Sequence, residues 1–128
     1  MQDVNVVVLF ASRGEATERL ALAAAVGAVQ GRAKIRLRCL EAAADREFVA
    51  PRGSDVEWAD AILAVMPAES DDAAHALELY FDSLPALREM LRVGRATAAA
   101  ISEPDALTAA RLQGRSVAEA ARSKRTRD

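Results

Sequence analysis

Six consecutive residues carry the densest potential for chemistry in this chain: Ser12, Arg13, Gly14, Glu15, Ala16 and Thr17. Two hydroxyls, a guanidinium and a glycine fall within one short polar turn. That turn joins an unbroken aliphatic run, Val4 to Phe10, to an Ala/Leu-rich segment that stops at Gly31. If the run is a strand and the segment a helix, the turn lies where free backbone N–H groups and the helix dipole attract an anion. A second such place follows the apolar run Ala61 to Met66. There Pro67 and Ala68 lead into the polar loop Glu69-Ser70-Asp71-Asp72, whose last residues suit a helix start. His75 is the single histidine and stands just beyond. It reads as a surface residue, with donation to a bound ligand as the alternative. No side chain stands out as an acid, base or nucleophile, so any reaction here would need chemistry supplied by a bound group.

The elements that must position these turns follow from hydrophobic pattern. Val4 to Phe10 cannot alternate polar and apolar residues if both its faces are buried, which is the signature of a central parallel strand. Lys34 to Leu40 does alternate, so Ile35, Leu37 and Cys39 face a core while Lys34, Arg36 and Arg38 lie opposite. Cations suit an outer strand, where they discourage pairing with another chain; binding an anion is the other use for such a stripe. Cys39 reads as a small core filler. Glu41 to Asp55, with Pro51-Arg52-Gly53, reads as a surface connection, and Asp55 caps a short turn through Trp58. After the strand from Ala61, a helix places Ala74, Leu77, Tyr80 or Phe81, and Leu84 on one side, until Pro85 interrupts or restarts it. Arg88 to Arg92 form a last turn before Gly94. Ala96 to Ile101 is a short strand. Asp105 then caps a helix from Ala106 to about Arg122, with Leu107, Ala110, Ala118 and Ala121 on one side. Residues 123–128 form a basic, solvated tail.

The order β-α-β-loop-β-α-β-α makes this an α/β chain with a mostly parallel sheet, and right-handed crossovers put helices on both faces. Its 128 residues fit a single domain, 1–128. A net charge of −2 gives no reason to expect nucleic acid as a partner. One cysteine excludes an internal disulfide and suits a reducing compartment. No apolar run approaches the roughly 20 residues of a membrane helix, and no signal-peptide pattern opens the chain. A cytoplasmic protein without membrane contact is the expectation.

Three stretches resemble flavodoxin-like proteins, and among them the FMN-dependent NAD(P)H:quinone oxidoreductases of the WrbA type. Val6 to Ala21 resembles that family's first strand, its Ser-x-x-Gly-x-Thr phosphate loop and its first helix. Ala59-Asp60-Ala61-Ile62-Leu63 to Pro67 is similar to the strand leading into the family's Thr-Pro-Thr flavin loop, with Tyr80-Phe81-Asp82 echoing the helix beyond. Leu107 to Ala118, with its Gln113-Gly114 step, resembles the last helix. The resemblance implies a three-layer flavodoxin-like sandwich with sheet order 2-1-3-4. It further implies that Ser12, Arg13, Gly14, Glu15, Ala16 and Thr17 surround an FMN phosphate, while Pro67 and Ala68 lie along the flavin ring.

The departures from that pattern concern charge and length. Glu15 occupies the family's glycine position, Gly14 comes one residue early, and Ala16 replaces a polar residue. A carboxylate ~4 Å from a phosphate, at an effective dielectric near 20, costs roughly 4 kcal/mol per pair of unit charges. A one-residue shift of the loop that brings Gly14 into register is the alternative that rescues FMN. The second loop has lost its hydroxyls, arginine and aromatic, and holds Glu69, Asp71 and Asp72. The family's fifth strand and its flavin loop are missing, since Ser102-Glu103-Pro104-Asp105 leads straight to the last helix. The fourth strand is then an edge.

Three functions compete on these grounds. The first is a flavodoxin-like relative with weak or lost FMN binding, acting as a non-enzymatic assembly module. It would be a homodimer or higher homo-oligomer, docking through the fourth strand or Leu84-Pro85-Ala86-Leu87. The second is a true FMN-binding electron carrier or NAD(P)H:quinone oxidoreductase, with a quinone as partner. The third is a phosphate- or nucleotide-dependent regulator using the same crevice; a signalling receiver is disfavoured because the first strand ends in Phe10-Ala11-Ser12 without acidic residues.

Overall fold

The computed structural model describes residues 4–11, 15–40, 51–68, 71–101 and 105–127, apart from the side chains of 15, 16 and 124–127. In chain order the elements are β1 (Val4–Phe10), α1 (Glu15–Gln30), β2 (Ala33–Cys39), α2 (Gly53–Trp58), β3 (Ala61–Pro67), α3 (Asp71–Asp82), α4 (Pro85–Arg92), β4 (Ala96–Ile101) and α5 (Ala106–Arg127). The four strands form one sheet in the order β2-β1-β3-β4, with every neighbouring pair parallel.

The unbroken apolar runs have the cause their pattern implies. In β1, Val4, Val6, Val8 and Phe10 face the α1/α5 layer, while Val7 and Leu9 face α2, α3 and α4. β3 divides in the same way, with Leu63 and Val65 on one side and Ile62 and Ala64 on the other. Two cores therefore share one sheet, giving three layers.

The α1/α5 layer is held very close by small residues. A Cβ built on Gly27 would lie 1.8 Å from the Arg111 carbonyl oxygen, and one on Gly114 would lie 1.9 Å from that of Ala24. Glycine is required at both because backbone occupies the space a side chain would need. Gly31 serves the same contact, facing Ala118 and Arg115. The left-handed turn that ends α1 therefore falls to Arg32, at φ 66°.

At the amino ends of the strands, polar groups are spent on closing the sheet. The Asn5 N–H donates to Asp60 Oδ2 at 2.8 Å, and the Asp60 N–H donates to the Asn5 carbonyl at 2.8 Å. Arg95 Nε and Nη2 donate to the carbonyls of Asp60 and Ala59, each at 2.9 Å. The opposite, carboxyl end of the sheet is the one left for a ligand.

Several details differ from expectation. α3 buries Ala73, Leu77 and Phe81, whereas Ala74 and Tyr80 are only half-buried. Leu84 lies outside the helices, because its extended backbone caps α4 and Pro85 opens that helix. α4 is therefore a full eight-residue helix that buries Leu87 and Met90, rather than a turn from Arg88. In α5 the buried set is Ala106, Ala110, Gly114, Ala118 and Ala121, and Leu107 is exposed. Asp105 does stand at the start of α5, with its carbonyl accepting from the Ala109 N–H at 3.0 Å and its φ at 64°. The α5 backbone stays helical to Arg127, so residues 123–127 continue the helix rather than forming a separate tail. Most of the connection after Cys39, residues 41–50, lies outside the described residues.

Candidate functional site

β1 and β3 are adjacent and parallel at the sheet centre, with Phe10 level with Val65. The helices that follow them leave toward opposite faces, α1 to the α5 side and α3 to the α4 side. Such a divergence opens a crevice beyond the carboxyl ends of the strands, bordered by two helix N-termini. Of the expected site residues, the structure describes Thr17, Pro67 and Ala68 at its borders. Ser12, Arg13 and Gly14 lie outside the described residues, as do the side chains of Glu15 and Ala16. The α1 backbone begins at Glu15 itself. Thr17, in the first turn, is buried at 4% exposure.

On the other border, Pro67 ends β3 and is half-buried, and Ala68 is exposed. The Ala68 N–H donates to the Ile101 carbonyl at 2.9 Å, so it is spent on tying β3 to β4. Glu69 and Ser70 lie outside the described residues. α3 opens with Asp71 and Asp72, both exposed, and His75 is exposed one turn later. Each helix that points its positive end at the crevice thus starts with acidic residues: Glu15 on α1, and Asp71 and Asp72 on α3. At α3 the exposed carboxylates of Asp71 and Asp72 lie at the positive end of the helix dipole, where an external anion would otherwise be drawn.

A second charged cluster went unforeseen. Asp55 in α2 is 2% exposed and lies beneath the cations of β2. It accepts from Arg38 Nε at 2.9 Å, Arg38 Nη2 at 3.1 Å, Arg36 Nη1 at 3.1 Å and the Arg52 N–H at 2.9 Å. The Arg36 guanidinium also sits 4.3 Å from the centre of the Trp58 ring. Burial pushes the Asp55 pKa up, but the hydrogen bonds from Arg38, the Arg52 N–H and Arg36 outweigh it and leave the carboxyl below its ordinary range. Burial, and then the Asp55 charge, raise the Tyr80 phenol above its usual value. With both oxygens engaged, Asp55 is a structural anchor and not a free base. The stripe of cations on β2 does bind an anion, and that anion is internal. The signal in the sequence was an alternating Arg-x-Arg strand followed by an acid beside Val56 and Trp58.

Among the described residues no group of three or more His, Cys, Asp or Glu side chains could hold a metal ion. No described helix is long and apolar enough to cross a membrane. The apolar stretch around Pro85 offers little to a partner, since Leu87 is fully buried and Leu84 half-buried.

No family model matches the chain, and no curated protein matches it. Solved structures do. A flavodoxin from the domain Archaea aligns over 92% of this chain and 99% of its own, with a TM-score of 0.62 and 12% identity. The diflavin flavoprotein A3 from Nostoc sp. aligns over 99% of both chains, with a TM-score of 0.62 and 16% identity. The flavodoxin-like domain of a Synechococcus sp. protein covers 96% of this chain and 99% of its own, with a TM-score of 0.52 and 19% identity. Identities this low speak for architecture alone, and together with the 2-1-3-4 parallel sheet between two helical layers they show that the chain has the flavodoxin-like fold.

Proposed function

We propose that this protein is a flavodoxin-like relative of the WrbA-type quinone oxidoreductases in which FMN binding is weak or lost, and that it works as a non-enzymatic assembly module. The observation that carries the reading is the acidic start of both helices bordering the crevice, Glu15 on α1 with Asp71 and Asp72 on α3. A flavin phosphate needs N–H donors and positive potential at such a place. These residues supply negative charge, and the Ala68 N–H already has a partner. They do not fit a phosphorylated flavin.

What supports the alternative, an FMN-binding electron carrier or NAD(P)H:quinone oxidoreductase, is the likeness to a flavodoxin and a diflavin flavoprotein. Titration of FMN into the purified protein separates the two. Unquenched flavin fluorescence and an unshifted visible spectrum are expected; quenching at micromolar protein would establish the flavoprotein instead. As an assembly module the protein is expected to be a homodimer or higher homo-oligomer, the commonest arrangement among soluble proteins that associate.

A further inference from the structure

One arginine of the Asp55 cluster is held in place but only partly used. Arg38 gives that carboxylate Nε and Nη2, and its Nη1 donates to the Leu37 carbonyl at 3.0 Å. Arg36 gives Asp55 a single nitrogen, Nη1 at 3.1 Å, and lays its guanidinium over the Trp58 ring at 4.3 Å. In the planar guanidinium, Nε and Nη2 form the edge opposite Nη1. Two parallel N–H groups on such an edge match a pair of oxygens, and among the described residues this edge has no hydrogen-bond partner. The Arg36 side chain is 34% exposed against 3% for Asp55, so a solute can approach it from the side away from the carboxylate.

The neighbours decide what fits. Lys34 stands two residues back on the same face of β2, about 7 Å along the strand. It is exposed and has no ion pair among the described residues. Its partner in the ladder is Asn5, whose Nδ2 donates to the Trp58 carbonyl at 3.0 Å. Lys34 and Arg36 therefore both lie beside the end of α2. On this face of β2 three cations, Lys34, Arg36 and Arg38, meet one buried acid. Glu57, the other acid of α2, is exposed and pairs with none of them. Three cations against one carboxylate leave two positive charges, the complement of a phosphate dianion. Asp55 and the Trp58 ring already hold Arg36 still, so an anion need not immobilise it.

We propose that Arg36, through Nε and Nη2, and Lys34 bind the phosphate group of a small solute, free or esterified, beside Trp58. The site lies on the outermost strand, with Arg36 level with Val7 in the middle of β1. It is thus apart from the crevice beyond the carboxyl ends of β1 and β3, and it does not rest on the assembly reading.

The test follows Trp58, the single tryptophan, in the full chain. Inorganic phosphate and methyl phosphate are titrated at constant ionic strength, with sodium chloride making up the balance so that screening stays fixed. Phosphate should change the Trp58 emission saturably, with a dissociation constant of about 1 mM or below. Tighter binding of methyl phosphate assigns the site to an esterified ligand, and equal or weaker binding to the free ion. In the same titration the Arg36 Nε–H resonance should shift, while that of Arg38, committed to Asp55, should stay. Arg36→Lys keeps the charge but has no fork, and should bind at least about tenfold more weakly. Should that variant loosen α2, Lys34→Gln decides, because its side chain has no partner whose loss could disturb the fold. Its affinity should fall about threefold to fivefold, with an unchanged circular dichroism spectrum. No saturable response up to about 20 mM phosphate, an Arg36 Nε–H resonance that does not move, or a folded variant that binds as wild type does would each overturn the site.

Discussion

Arg38 grips Asp55 through two nitrogens, Nε on Oδ2 at 2.9 Å and Nη2 on Oδ1 at 3.1 Å, across a gap of seventeen residues in sequence. This fork ties the short helix α2 to the outermost strand β2. Six residues of helix hold themselves together poorly, so the anchor rather than intrinsic propensity keeps α2 in place. Asp55→Asn keeps the shape but removes the charge that both arginines address. The Arg36 and Arg38 side chains are 34% and 18% exposed and can recover some hydration. The expected loss is therefore about 2–3 kcal/mol, below the ~3–5 kcal/mol of breaking a fully buried pair. Urea denaturation of the two proteins measures it.

The same pair sets a pH dependence. The folded-state pKa of Asp55 lies below its ordinary value. Its contribution is fully present above the unfolded pKa and is lost as pH falls through the folded one. The stability gap between wild type and Asp55→Asn should therefore be constant above about pH 5 and shrink below about pH 4. A gap unchanged at acid pH would mean that the carboxylate charge is not what the arginines hold.

How far the sequence could be read depended on the range of the contacts involved. Continuous apolar runs at Val4 and Ala61 announced strands buried on both faces, and the order of elements then dictated helices on both sides. Where a face is nearly all alanine, periodicity fails. In α5, Leu107 was grouped with the buried side, yet it is exposed, and the burial belongs to Ala106, Ala110, Gly114, Ala118 and Ala121. Arg36, Arg38 and Asp55 were each legible as charges but not as partners, because only the fold brings β2 against α2. In the candidate site, the acids at the helix starts were visible, while the engagement of the Ala68 N–H by Ile101 was not. That bond depends on the β3–β4 register.

The closest packing in the molecule gives a sharp stability test. Gly27→Ala would set a methyl 1.8 Å from the Arg111 carbonyl oxygen, and Gly114→Ala one 1.9 Å from that of Ala24. Neither obstacle is a side chain that can swing away, so α1 and α5 must separate. Each substitution should cost about 3 kcal/mol or more, the upper end of overpacking effects, seen as a large drop in melting temperature. Gly53→Ala is the control. Its Cβ meets nothing within 4 Å, so stability should hold or rise by up to about 1 kcal/mol. Equal losses at all three positions would contradict the close approach of these helices.

The acidic helix starts let the proposed loss of flavin affinity be separated into causes. If Glu15 repels the phosphate, Glu15→Gly should convert undetectable FMN binding into measurable binding. The ceiling is roughly 4 kcal/mol for unit charges ~4 Å apart at an effective dielectric of 20, about three orders of magnitude in affinity. Salt screens the repulsion, so a gain of about tenfold to a hundredfold is expected at moderate ionic strength. Asp71→Asn with Asp72→Asn tests the other border of the crevice, where both side chains are exposed and the effect should be smaller. Raising the salt concentration should narrow the difference between Glu15→Gly and wild type if charge is the cause. If neither border recovers binding, repulsion is not the obstacle. The shortened sheet, which passes from β4 to α5 without a fifth strand among the described residues, would then be what denies the flavin ring its place.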